Sequence, residues 1–172
     1  ARRRRWGGQA GQPDALPSPL LRPAQSRGCA PNLCRLITDA HTDGYYYKPR
    51  IERDLLARHS AGLIGLSACL GGEIPKALET DDWELARKLA GEYGDIFGKD
   101  RFFLELQDHG LPEQRRLNEQ LVRLGPEAGL PLVVTNDLHY VRPEQSEAHD
   151  VLLCVGTGST LDPPNRLRFG AP

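Results

Sequence analysis

Methionine is absent from all 172 residues, position 1 included. A natural reading frame opens with one, so the chain is expected to be a truncated or processed piece of a longer protein whose sites need completion from elsewhere. No apolar run approaches the roughly 20 residues that cross a bilayer, and the basic start lacks the apolar stretch of a secretory signal. That pattern excludes a membrane span and makes the cytoplasm the expected address. Cysteine is scarce, and Cys29, Cys34, Cys69 and Cys154 are irregularly spaced. A disulfide framework is therefore not expected. Cys29 and Cys34 have no second Cys or His pair at zinc-finger distance, which argues against a structural zinc site there. The chain also lacks a Walker-type phosphate loop and a G-x-S-x-G nucleophile turn.

What is present is the composition of one soluble domain, 39% apolar and 26% charged, with enough apolar side chains for a core. The net charge of −1 conceals a division. Residues 1 to 35 hold seven Arg and one Asp, leaving 15 basic and 22 acidic residues for positions 36 to 172. An acidic body is a poor match for the phosphate backbone of a duplex. Residues 1 to 31 combine Arg2 to Arg5 with scattered Gly and Pro and show no apolar period. They read as a disordered or out-of-frame segment, ahead of a folded part over residues 32 to 155 and a linker over 156 to 172.

From Asn32 onward strand-like and helix-like segments alternate. Gly62 to Ala68, Arg101 to Gln107 and Pro131 to Asn136 are short apolar runs suited to buried strands. Between them, Asp82 to Phe97 places Leu85, Leu89, Tyr93, Ile96 and Phe97 on one helical face, with Thr80 and Asp81 as capping candidates. Pro112 opens a helix carrying Leu117, Leu121 and Leu124, which Gly125 and Pro126 should end. A last helix starts at Pro143, with Ala148, Val151, Leu152 and Val155 toward the core. Apolar strands separated by helices imply parallel pairing, as in an open α/β sheet or part of a barrel. Either architecture puts functional groups in the loops after the strands.

Three such loops carry ligand or proton-transfer groups: Ser67 to Glu73, Gln107 to Gly110, and Asn136 to Tyr140. Asp137 and His139, two apart on an extended segment, form a mixed pair suited to zinc, manganese or iron. The same D-x-H spacing also suits an Asp that caps a turn and a His packed against it. Cys69 reads either as a thiolate ligand or as a small buried side chain. Glu73 fits the first turn of a short helix, and Cys154 the core face of the last helix. His109 sits in the second loop without a clear partner, and His41, His59 and His149 read as surface or structural residues.

The strings NLCRLITDAHTDGYYYKPRI, GLIGLSACLGGEIPKAL, FFLELQDHGLPEQRRLNEQLVRL and LPLVVTNDLHYVRPEQSEAHDVLLCVGTGSTLDPPNRLRF, collinear from Asn32 to Phe169, resemble the PHP (polymerase and histidinol phosphatase) domain of bacterial DNA polymerase III alpha subunits. The resemblance implies an α/β fold, a partial, distorted β/α barrel behind a disordered N-terminal tail. It also implies a rim that binds divalent metal (zinc, manganese or magnesium), with Cys69 at the family's Cys ligand and Asp137 and His139 at its closing Asp-x-His pair. His109 lies in a similar motif as a further candidate.

For the parent protein the resemblance implies DNA-directed DNA synthesis with magnesium on primer-template DNA and deoxynucleoside triphosphates. A 3′–5′ exonuclease or a structural role would belong to the PHP part, and partners would include the sliding clamp and the proofreading subunit. The polymerase active site is not expected within this segment. The family's opening His-x-His strand is not recognisable in residues 1 to 31. A stand-alone PHP phosphoesterase and a non-catalytic PHP module are the alternatives.

Overall fold

Apolar runs bounded by Gly and Pro become strands here, and apolar residues three and four apart become helices. A computed structural model describes residues 20–23 and 29–162. In chain order the elements are β1 (Leu20–Pro23), α1 (Cys29–Thr42), α2 (Arg53–Arg58), β2 (Leu63–Leu66), α3 (Glu73–Glu79), α4 (Trp83–Phe97), β3 (Phe102–Leu106), α5 (Pro112–Ala128), β4 (Leu132–Val134) and α6 (Ser146–Thr157). A 3-10 turn at Pro143–Gln145 leads into α6. The sheet order is β1-β2-β3-β4. β2, β3 and β4 run parallel, with Gly65 opposite Phe102 and Leu104 opposite Leu132. β1 pairs antiparallel with β2. α3 and α4 occupy the crossover from β2 to β3, and α5 the crossover from β3 to β4, as parallel strands require. This is the partial β/α barrel that was expected.

The core lies between the sheet and its crossover helices. α4 turns Ala86, Leu89, Ala90, Tyr93 and Phe97 inward, at the spacing of one helical stripe. Tyr93 and Phe97 stack on the fully buried Phe102 of β3, at centroid distances of 5.0 and 5.8 Å. Each large apolar side chain buried this way contributes about 1.5–3 kcal/mol. Gly65 of β2 makes that stacking possible, because a Cβ there would lie 2.8 Å from both Phe97 and Phe102.

Several expectations need correction. Asp82, rather than Thr80 or Asp81, caps α4, its carboxylate accepting from the Leu85 amide at 3.0 Å. Leu85 is exposed, since Ala86 takes the inward position next to it. α5 does not stop at Gly125 and Pro126 but runs to Ala128. Its C-terminus is closed by Gly129 in the left-handed region, with the Leu130 amide donating to the Gly125 carbonyl at 2.9 Å.

β4 is not buried on both faces, because Leu132 and Val134 are exposed. The expected inward face of α6 (Ala148, Val151, Leu152 and Val155) is exposed as well. Both elements sit outside the main core cluster, and β4 is the last strand of the sheet among the described residues. Within residues 1–31, expected to be disordered or out of frame, β1 and the first turn of α1 are described. The remainder of that segment, and the linker from residue 163 onward, lie outside the described residues. No helix among the described residues is long and apolar enough to cross a membrane.

Candidate functional site

The parallel strands end on one rim, and three devices shape it. Ala68, two residues after β2, has φ 66°, a left-handed conformation unusual for a residue with a Cβ, and it turns the chain sharply into Cys69. Gly72 closes that turn, where a Cβ would lie 2.2 Å from the Ser67 carbonyl oxygen. α5 then braces the end of β3 with two polar side chains four residues apart. Asn118 Nδ2 donates to the Gln107 carbonyl at 2.9 Å. Gln114 Oε1 accepts from the His109 amide at 2.8 Å.

At the centre of the rim sits Glu105, buried although it lies in a strand of apolar residues. Its backbone amide donates to Ser67 Oγ at 2.8 Å. Its Oε1 accepts from Gln107 Nε2 at 3.1 Å and from the Thr135 hydroxyl, so one carboxylate oxygen ties the end of β3 to the segment after β4. No basic side chain pairs with Glu105 among the described residues. Among the described residues, Glu105 Oε2 and Gln107 Oε1 are buried without a hydrogen-bond partner. Both residues, with Cys69, border a cavity of about 10 Å³, room for roughly one water. Two orphaned acceptors call for a donor or a cation.

His109 is buried, with Gln114 Nε2 donating to its Nδ1 at 2.9 Å, so the neutral ring carries its proton on Nε2. Its ring stands edge-on to that of His139, 6.3 Å between centroids. His139 lies 5.3 Å from His149, which lies 5.4 Å from Tyr140. His139 is exposed, and its Nδ1 lies 2.6 Å from the Asp137 carbonyl. A carbonyl only accepts, so Nδ1 carries the proton, leaving Nε2 as the lone-pair face of the neutral ring, the orientation common in metal-bound histidines.

The chemistry of these groups suits a metal, but their number does not. Among the described residues no three His, Cys, Asp or Glu side chains come together at metal-holding distance. Cys69, half-buried, borders the cavity with Glu105, whereas His139 groups with His109 and His149. Asp137 is half-buried and contributes its backbone carbonyl to the His139 ring. A complete ligand set is therefore not present in the described part, and no chemical step is derived through a metal.

Sequence reasoning missed Glu105 and Gln114, and left His149, which is buried, between a surface and a structural reading. A signal existed for the first, since a carboxylate inside an otherwise apolar strand needs a reason. Gln114 shares the inward stripe of α5 with Leu117, Leu121 and Leu124, so its burial was readable from spacing. His149 carried no such signal. His41 is exposed and His59 ends α2, in line with the surface reading. Glu73 opens α3 and Cys154 is buried, both as expected.

Residues 13–109 match the PHP domain family. The match reaches back well before Asn32, so the part without resemblance is shorter than the opening 31 residues. The chain is 50% identical over 138 residues to the DNA polymerase III subunit alpha of Thermus aquaticus, covering 80% of this chain and 11% of that protein. The subunits of Treponema pallidum and Deinococcus radiodurans are 46% and 45% identical over 138 residues, at 80% of this chain and 12% and 10% of theirs. The chain thus spans about a tenth of the length of these relatives. With more than half of its residues matched by one family, and a parallel sheet whose strand ends gather buried polar groups on one rim, the chain belongs to the PHP domain family.

Proposed function

We propose that this chain is a segment of the alpha subunit of a bacterial replicative DNA polymerase III, and that the whole subunit extends a DNA primer with deoxynucleoside triphosphates. One observation carries the reading, the identity of 50% over 138 residues to a DNA polymerase III subunit alpha. Nothing in the described fold is a nucleotidyl-transfer site, so synthesis is assigned to the longer polypeptide and magnesium to its polymerase site. Template DNA, deoxynucleoside triphosphates, the sliding clamp and the proofreading subunit are then its partners, and the cytoplasm its location.

The finer reading concerns the PHP part. Cys69, Asp137 and His139, with His109 as a further candidate, are members of a divalent-metal ligand set (zinc, manganese or magnesium) that residues outside the described part complete. That set supports the polymerase structurally or serves a 3′–5′ exonuclease. The orphaned Glu105 Oε2 beside Cys69 supports a cation at this rim.

The test is primer extension by the purified full-length polypeptide that carries this segment, with release of the 3′ nucleotide followed on a mismatched primer. Template-dependent extension is the expected result. Hydrolysis of a small phosphate ester without extension would replace the reading by that of a stand-alone phosphoesterase.

A further inference from the structure

The loop between α1 and α2 shows no part in the rim, yet it carries the most exposed aromatic group in the described fold. Tyr45, Tyr46 and Tyr47 are 60, 64 and 80% exposed. Three consecutive rings left in water are not explained by packing. The loop is held tightly at its base, where a Cβ on Gly44 would lie 2.0 Å from the Arg50 carbonyl oxygen. Within it, the Tyr46 amide donates to the Lys48 carbonyl at 3.1 Å. Tyr47 sits at the tip with φ 59°, a left-handed conformation that is costly for a bulky side chain and gathers at binding sites.

The cations lie among the rings. The Arg50 guanidinium carbon is 5.4 Å from the Tyr46 centroid, and Tyr46 and Tyr47 meet edge-on at 4.6 Å. Lys48 is exposed, and no acidic residue occurs from Gly44 to Ile51. We infer that this loop is a docking platform for single-stranded nucleic acid, with bases stacking on the tyrosine rings and Lys48 and Arg50 meeting the phosphates. Rings that stand edge-on to one another suit bases splayed from a single strand, not the closed stack of a duplex. The inference rests on the loop alone and not on the polymerase reading.

The test uses the full-length polypeptide that carries this segment and a fluorescein-labelled oligothymidylate, read by anisotropy at low and raised salt. Binding that weakens with salt is expected, tighter to the single strand than to a duplex of equal length. The paired variant Tyr46→Phe with Tyr47→Phe should keep that affinity. Tyr46→Leu with Tyr47→Leu, which keeps apolar bulk and loses the ring face, should weaken it about tenfold or more. Ultraviolet crosslinks from the bound strand to the unaltered chain should fall on the peptide holding Tyr45 to Tyr47, a readout that needs no variant to fold. Absence of binding, equal affinity of the Phe and Leu pairs, or no crosslink on that peptide would overturn the proposal, the second outcome marking the loop as an apolar protein contact.

Discussion

Tyr93 illustrates how one side chain joins packing to electrostatics. Its ring stacks on Phe102, while its hydroxyl donates to Glu73 Oε2 at 3.1 Å, an oxygen that also takes Arg53 at 2.7 Å. Burial, then the negative charge and hydrogen bond of Glu73, push the phenol well above its ordinary value, against a smaller opposing effect of Arg53. The unfolded chain releases this proton near pH ~10 while the folded chain keeps it, so folding stability should fall as pH rises beyond that point. Tyr93→Phe should cost about 1–2 kcal/mol at neutral pH and flatten the alkaline fall, as urea unfolding at several pH values would show. An unchanged alkaline slope in the variant would place the titration elsewhere. The stripe placing Tyr93 inward was readable from spacing, but its link to Arg53 and Glu73, forty and twenty residues upstream, was not. The Glu105 hub has the same character, since Ser67, Gln107 and Thr135 meet only when three strands align.

Helices and strands were legible where a local period decides them and illegible where a neighbour does. β2, β3 and α4 follow their apolar spacing closely. α5 departs at its end, where the Leu130 carbonyl oxygen and the Leu132 side chain come within 3.2 to 3.5 Å of the place a Cβ on Gly125 would take. That contact favours continuing the helix past a proline that local propensity would use as a stop. Pro126 has no N–H, so the Val122 carbonyl loses its helical donor. The exposed proline ring contributes little packing. Pro126→Ala is therefore expected to stabilise the fold by about 1–3 kcal/mol, seen as a higher melting temperature. A lower one would mean that the fixed proline geometry shapes the turn to β4.

The architecture was the most legible feature, because alternating apolar runs and amphipathic helices admit few topologies besides parallel β/α units. The exposure of β4 and α6 was not legible. Leu132 and Val134 of β4 and Val151, Leu152 and Val155 of α6 are exposed, whereas isolated segments of this pattern read as core. Their covering is a matter of what lies beside β4 and α6, which no local period encodes. The candidate metal site divides likewise. Cys69, Asp137 and His139 could be named from motif and loop position, but their convergence depends on the curvature of a complete barrel. The proposal that the chain is a piece of a DNA polymerase III alpha subunit is tested most directly by reading the coding DNA on both sides of it. The expected result is a His-x-His strand encoded upstream of Asn32, in this or a shifted frame, and a polymerase palm with paired aspartates downstream of Pro172. A stop codon shortly after Pro172, with no His-x-His in any upstream frame, would contradict it.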